Sequence, residues 1–117
     1  MIPDSGLILM MLQFQTTQQI QCSATITGVD LTAATATTKT CVIKNAAGDT
    51  LESVDLAIPG NGMGISTMYF TAGETYSVEA NVVLTGDDAG TYTGTEAAVT
   101  WAAGIAGPHE VAVTLTV

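Results

Sequence analysis

The stretch TYSVEANVVL, Thr75–Leu84, decides the fold because apolar and polar side chains alternate along it. One face is apolar and consists of Tyr76, Val78, Ala80, Val82 and Leu84. The opposite face is mostly polar and carries Ser77, Glu79 and Asn81. Successive side chains of a β-strand point to opposite faces of its sheet, so this repeat predicts a strand with one face in a core and one in water.

The same alternation recurs elsewhere in the chain. It is clear over residues 19–27 and 109–117, and weaker strand patterns lie near residues 7–14, 37–45, 50–58, 64–71 and 94–102. Turn sequences rich in Gly, Asn and Asp separate these segments, and no segment has the period of about 3.6 residues that indicates a helix. The pattern predicts a single all-β domain over residues 1–117, an antiparallel β-sandwich of about 7–8 strands rather than a small barrel.

The charge composition excludes whole classes of partner. Charged residues make up 11% of the chain, against about 25% in an average protein. Eleven acidic residues face two lysines, Lys39 and Lys44, with no arginine, and the formal net charge is -9. Because phosphate contacts need Lys and Arg, the chain is expected to bind no nucleic acid and no anionic membrane surface. A Thr-rich surface with few charges is easily dehydrated against another protein.

An apolar run near the N-terminus is the strongest pointer to function in the sequence. It has no polar side chain and consists of Leu7, Ile8, Leu9, Met10, Met11 and Leu12. The segment lacks the positive charge and small-residue cleavage site of a secretory signal, so the chain is expected to fold without export unless a signal was removed. It is also shorter than the ~20 residues that span a bilayer. Two interpretations stay open: a first strand buried in the chain's own sandwich, or an arm or edge strand within residues 1–17 that pairs with a neighbouring subunit.

The segment Phe70–Ala80 resembles the E–F corner of fibronectin type III and related immunoglobulin-like domains. Phe70 takes the apolar position of that pattern, Ala72 stands where the family has proline, Gly73 matches the glycine and Tyr76 the tyrosine. The resemblance implies an immunoglobulin-like sandwich, of the kind found in phage virion decoration proteins. It also implies that the Tyr76 hydroxyl bonds to upstream backbone in a tyrosine corner.

A second segment, Asp88–Gly94, resembles strand F of immunoglobulin domains, with Gly94 in place of the family's cysteine. The two segments cannot be the same corner, and the cleaner alternation after Tyr76 favours the first. The chain departs from the family in its only tryptophan, Trp101, which comes late rather than in the early strands.

The two cysteines, Cys22 and Cys41, lie on the apolar faces of predicted strands. Buried thiols are the favoured interpretation because nothing in the sequence indicates export, and a disulfide between them stays open. The two are closer in sequence than the bridged cysteines of the family that the chain resembles.

Residues suited to catalysis are scarce. His109 is the only histidine, and it is expected to be a solvated side chain at the start of the last strand. Asp87 and Asp88 lie in a turn that matches no calcium loop. Tyr69 and Tyr92 are the two aromatic residues expected on the surface. No metal, cofactor or catalytic residue is predicted, and the chain is expected not to be an enzyme.

These observations lead to one hypothesis and one alternative. The hypothesis is a structural assembly protein, most concretely a virion component that decorates a capsid or forms part of a tail, either as a homo-oligomer or docked on a larger assembly. Its partners are then other protein subunits, and its location is the virion. The alternative is a cell-surface or secreted binding or adhesion module for a glycan or another surface ligand, with a Cys22–Cys41 disulfide and an aromatic patch at Tyr69 or Tyr92.

Overall fold

The computed structural model describes residues 17–104 and 107–117, and these form the all-β fold that the alternation predicts. Nine strands follow one another in the described chain: β1 Thr17–Gln18, β2 Ile20–Ile26, β3 Thr35–Asn45, β4 Thr50–Asp55, β5 Met63–Ile65, β6 Phe70–Thr71, β7 Tyr76–Thr85, β8 Gly90–Val99 and β9 His109–Leu115. The helical element in these residues is a single 3-10 turn, Gly86–Asp88. No helix in the described part is long and apolar enough to cross a membrane.

Two larger sheets pack face to face as a β-sandwich. The four-stranded sheet has the order β4-β3-β7-β8, and all of its neighbours are antiparallel. The three-stranded sheet has the order β5-β2-β9. Its β2–β5 pair is antiparallel, but β2 and β9 run parallel, in register from Ile20 beside His109 to Ile26 beside Leu115. A short third sheet joins β1 to β6. Alternation within a strand carries no information on direction, which is why the parallel pair was not predicted.

One predicted strand is divided in the structure. The pattern over residues 64–71 becomes β5 and β6, with residues 66–69 between them. Ser66 turns the chain out of the sheet, because its buried hydroxyl accepts the Ile20 N–H at 2.9 Å and donates to the Met68 carbonyl at 2.8 Å. The predicted strand near residues 7–14 lies outside the described residues.

The core lies between the two larger sheets. The apolar face predicted for Thr75–Leu84 is buried, and Val78 and Val82 are completely enclosed. Ile20, Ile43 and Val113 meet them from other strands, each at most 1% exposed. Burial of this apolar area from both sheets is the main favourable term that holds the sandwich together.

Two tyrosine hydroxyls tie the starts of strands to backbone further up the chain. The Thr71 N–H donates to the Tyr76 hydroxyl at 2.9 Å, which is the bond that the family resemblance implies. The Tyr92 hydroxyl donates to the Asp88 carbonyl, also at 2.9 Å. The expectation that Tyr92 lies on the surface is therefore wrong: its ring is packed in the core and only 9% of the residue is exposed.

Backbone contacts join the two sheets at the edge formed by β8 and β9. Thr93 and Thr116 exchange both of their backbone hydrogen bonds, each at 2.9 Å. One residue further along β8, Gly94 passes so close to β9 that an added Cβ would overlap the Thr114 carbonyl oxygen and lie 3.0 Å from a Val113 methyl. The glycine that stands where the resembled family has cysteine is thus needed for the close approach of these strands.

We expect Gly94→Ala to lower the free energy of unfolding by about 1–3 kcal/mol, because the new methyl group displaces the β9 backbone and not a flexible side-chain end. The matched control is Thr95→Ala at the next, exposed position of β8, which should change the free energy of unfolding by less than about 0.5 kcal/mol. Urea denaturation of the three proteins measures both values. Equal stability of Gly94→Ala and the control would contradict the close approach.

Candidate interaction surface

A short segment from the last residue of β5 to the start of β6 carries most of the exposed large apolar side chains in the described residues. Ile65 is 46% exposed, Met68 44% and Tyr69 63%, and the fourth large apolar residue of this kind is the terminal Val117. Single exposed apolar side chains are normal on protein surfaces, and three within five residues of sequence make this segment the candidate for a contact. Ile65 borders the hollow at Gln21 and Asn61, whereas Tyr69 borders the hollow at Thr17. We call the three residues Ile65, Met68 and Tyr69 the apolar segment.

A carboxylate on β4 holds the backbone of the apolar segment. One oxygen of Glu52 accepts the Thr67 N–H at 2.8 Å and the Thr67 hydroxyl at 3.3 Å. The other oxygen accepts the Met68 N–H at 2.9 Å. Hydrogen bonds to a charged acceptor are stronger than those between neutral groups. Glu52 therefore accepts hydrogen bonds from two backbone N–H groups of this connection, which lies outside the sheets.

Ile20 of β2 and Gln19, which directly precedes β2, bind the backbone of the same segment at Ser66. Ser66 is fully buried, and its N–H donates to the Ile20 carbonyl at 2.9 Å. The Gln19 side-chain amide donates to the Ser66 carbonyl at 2.8 Å. With the backbone fixed from two sides, Met68 and Tyr69 are presented to solvent in a defined position. Because the segment is already ordered, it loses less conformational entropy when a partner binds than a mobile loop would lose.

The apolar segment lies beside the point where the described chain begins. β1 pairs with β6 through Thr17 opposite Thr71 and Gln18 opposite Phe70, so residue 17 lies next to the strand that follows Tyr69. A hollow of about 210 Å3 lies here, lined by Tyr69, Thr17, Gln18, Gln19, Gly107 and Pro108. The predicted interface residues Leu7, Ile8, Leu9, Met10, Met11 and Leu12 lie outside the described residues, in the chain that leads into Thr17.

Both lysines of the chain are engaged in contacts of their own. Lys44 forms an ion pair with Glu79 on the outer face of the four-stranded sheet. The Lys39 ammonium donates to the Ile58 carbonyl at 3.2 Å.

A row of aromatic rings runs from the apolar segment to the last strand. Phe70 meets Tyr76 edge-on with 5.2 Å between ring centroids, and Tyr76 stacks on Trp101 at 5.8 Å. Trp101 in turn stacks on His109 at 4.8 Å. The Trp101 side chain is buried, and its Nε1 has no hydrogen-bond partner within the described part of the chain. The row therefore acts through packing of ring faces and not through polar contacts of the indole.

The expectation that His109 is a solvated strand-end side chain needs correction. His109 is half-buried because it has the same parity along β9 as the core residues Val111 and Val113, so its ring faces inward onto Trp101. A shallow cleft of about 250 Å3 beside it is also lined by Glu96 and Glu110. No ion pair joins His109 to a carboxylate in residues 17–104 and 107–117. The cleft thus offers polar surface, and the histidine contributes a ring face.

Cys22 and Cys41 meet in the middle of the sandwich. The Cys41 thiol donates a hydrogen bond to the Cys22 sulfur over 2.9 Å, and both residues are buried free thiols. This hydrogen bond lowers the pKa of Cys22, against the opposing effect of burial. The same bond, together with burial, raises the pKa of Cys41 far above its ordinary value. Since neither sulfur reaches the surface, they are not positioned to attack a substrate there.

The loops at the acidic end of the sandwich give no metal site. Asp30, Asp87 and Asp88 line one hollow of about 260 Å3. The Asp30 carboxylate is already used by the N–H and hydroxyl of Thr32, and these bonds lower the pKa of Asp30. No group of three or more His, Cys, Asp or Glu side chains among the described residues is arranged to hold a metal ion.

Comparison of the chain with protein-family models, with curated proteins and with solved structures finds no match. The structure itself defines an all-β sandwich whose apolar segment is hydrogen-bonded at one edge.

We expect Glu52→Ala to lower the free energy of unfolding by about 1 kcal/mol, because two backbone N–H groups and a hydroxyl exchange a charged acceptor for water. Hydrogen exchange at Thr67 and Met68 should accelerate more than exchange in β7. Glu96→Ala removes the same charge from an exposed position of β8 and serves as the control. Unchanged exchange at Thr67 and Met68 in Glu52→Ala would contradict the assigned role of this carboxylate.

Proposed function

We propose that the chain is a non-enzymatic structural assembly protein that acts through contacts with other protein subunits. The most concrete form of the proposal is a phage or virus virion component, a capsid decoration or tail protein with an immunoglobulin-like sandwich. The observation that carries the proposal is the apolar segment, Ile65, Met68 and Tyr69, held in a fixed and exposed position by Glu52 and Ser66.

The composition of this segment supports a protein partner. Tyr and Met are enriched in protein–protein interfaces, and Tyr is among the residues that dominate their binding energy. Methionine also adapts its shape to irregular apolar surfaces. A rigid apolar segment on a surface with 11% charged residues in the whole chain has little hydration to lose on contact.

The N-terminal run supports the same proposal from the sequence. Leu7 to Leu12 lead into Thr17, which pairs with β6 directly after the apolar segment. An arm that contains this run has the composition to pair with a neighbouring subunit close to Met68 and Tyr69. The net charge of -9 favours a location outside the packaged nucleic acid in a virion.

Three features support the immunoglobulin-like form of the sandwich. The Tyr76 hydroxyl bonds to Thr71 where the family has its tyrosine corner. Tyr76 also opens β7, an inner strand of the four-stranded sheet. The chain crosses between the two larger sheets from β2 to β3, from β4 to β5, from β5 through β6 to β7, and from β8 to β9. The parallel pairing of β9 with β2 and the late position of Trp101 depart from the family pattern.

The alternative proposal is a cell-surface or secreted binding module for a glycan or another surface ligand. Tyr69 favours it, because its exposed ring borders a hollow that also contains Thr17 and Gln19. An aromatic face beside hydroxyl and amide groups suits a sugar ring. Tyr92 no longer contributes to this alternative, since its ring is in the core.

The first test is the native mass of the protein in solution by light scattering over a wide concentration range. We expect a defined oligomer that the double variant Met68→Asp, Tyr69→Asp weakens by at least about 30-fold, since the loss of even one interface anchor costs about 2 kcal/mol or more. The matched control Thr91→Asp, Thr95→Asp adds the same two charges at exposed positions of β8 and should leave the oligomer intact. A monomer at every concentration would contradict self-assembly. Equal weakening of the oligomer by both double variants would contradict the assignment of the interface to Met68 and Tyr69.

Deletion of residues 1–14 separates the two interpretations of the N-terminal run. We expect the shortened protein to keep its β-sheet circular dichroism and cooperative unfolding while its oligomer dissociates, as befits an arm that pairs with a neighbour. Full-length Leu9→Ser, Met11→Ser is the companion variant, because it changes the apolar character without changing the length. Loss of folding in both proteins would instead assign the run to the chain's own core.

A further inference from the structure

The two buried sulfur atoms are held close enough for a covalent bond to form with little movement. Cys22 lies on β2 and Cys41 on β3, in opposite sheets, and their Sγ atoms are 2.9 Å apart. A disulfide has an S–S distance of about 2.05 Å, so the sulfur atoms have to approach by only about 0.9 Å. The residues are 1% and 0% exposed, so no other thiol competes for this contact in the folded protein.

The backbone around the pair explains why the two sheets come so near. Cys22 on β2 is the neighbour of Gly64 on β5, and Cys41 on β3 is the neighbour of Val54 on β4. A Cβ added to Gly64 would lie 2.8 Å from a Val54 methyl and 2.5 Å from the Asp55 carbonyl oxygen. The absence of a side chain at Gly64 therefore lets the sheets approach beside the cysteines. The pairing of the sulfur atoms follows from the fold and not from a chance rotamer.

We propose that Cys22 and Cys41 form a disulfide across the sandwich when the protein meets a thiol–disulfide oxidant such as glutathione disulfide. In the first step the Cys22 thiolate attacks one sulfur of glutathione disulfide, forms a mixed disulfide and releases one glutathione thiolate. In the second step the Cys41 thiolate attacks the Cys22 sulfur and releases the second glutathione. Two protein thiols are oxidised, one glutathione disulfide is reduced, and the two protons pass through solvent to the glutathione thiolates.

Burial of both sulfur atoms limits the rate of the first step. In the closed sandwich the Cys41 thiol donates to Cys22, which favours the thiolate at Cys22. Opening breaks this bond, and the two steps balance equally well with Cys41 attacking first. Both sulfur atoms are enclosed, so the oxidant reaches Cys22 only when β2 separates from β3. We expect oxidation of the native protein to be slow and to accelerate in a denaturant concentration that leaves most molecules folded.

The bond would join the two sheets covalently. It closes a loop between positions that are 19 residues apart in sequence. Loop closure lowers the entropy of the unfolded chain, and for a loop of this size the thermal midpoint is expected to rise by about 10 °C or more.

The test is oxidation of the reduced full-length protein by excess glutathione disulfide, followed by thiol titration, intact mass and thermal unfolding. We expect both thiols to disappear, the mass to fall by two hydrogens with no glutathione attached, and the melting temperature to rise. Dithiothreitol should reverse all three changes. Persistence of two free thiols after refolding from urea in a glutathione redox buffer would overturn the proposal.

Single-cysteine variants supply the control. Cys22→Ala and Cys41→Ala, oxidised during refolding, should each end with one thiol that is free or carries one glutathione, and should show no rise in melting temperature. If either variant fails to fold, a peptide map of the oxidised wild type gives the same information, because the proposal requires one linked peptide containing Cys22 and Cys41. Disulfide-linked dimers or stable glutathione adducts in the wild type would contradict it.

Discussion

The close approach of the two sheets is the constraint on which the rest of the structure depends. The sheets meet at small or compact positions: Cys22 against Cys41 inside the sandwich, Gly64 against Val54 at one edge, and Gly94 against Thr114 at the other. Sheets in a sandwich usually pack about 10 Å apart, with large side chains between them. Here large aliphatic side chains fill the centre, and glycines let backbone meet side chain or backbone where the sheets converge at the edges.

This convergence also explains how the apolar segment acquires its fixed position. Because β4 and β5 lie close together at the Gly64 edge, Glu52 on β4 reaches across to the backbone of Thr67 and Met68, which belong to the chain that leaves the other sheet. A loop that projects from a looser edge would have only solvent as a partner for these N–H groups. The surface that the proposed function relies on is thus a consequence of the packing of the core.

Alternation in the sequence predicted what depends on one strand at a time. The buried face of Tyr76 to Leu84 follows directly from a period of two, and so does the all-β class. Features that depend on how two strands are arranged relative to each other could not be predicted from alternation. The parallel pairing of β9 with β2 leaves no trace in either strand. The inward position of His109 could have been predicted, because it lies two residues before Val111 and so on the same face of β9. The preceding proline instead suggested a solvated strand end.

The candidate surface likewise has features that the sequence predicts and features that it does not. Exposure of Tyr69 could be predicted, whereas its neighbour in that prediction, Tyr92, is buried because its hydroxyl finds the Asp88 carbonyl and its ring fills the core. The division of the 64–71 pattern depends on Ser66 and Glu52, two ordinary polar residues whose partners are 46 and 15 positions away in sequence. Pattern reasoning weighs local spacing, so contacts over such distances become visible only when the strands are assembled.

The physical argument for assembly over catalysis depends on where the polar groups of this protein are used. Catalytic sites keep polar and titratable groups unpaired and directed at a cavity, which costs stability. In the described chain the groups with the best geometry are directed inward at the protein: Glu52 and Ser66 at backbone amides, Cys22 and Cys41 at each other. Among the large apolar side chains, Met68 and Tyr69 are directed outward from this hydrogen-bonded backbone. Covering these apolar side chains removes apolar area from water, and this is the free energy that the proposed contact between subunits draws on.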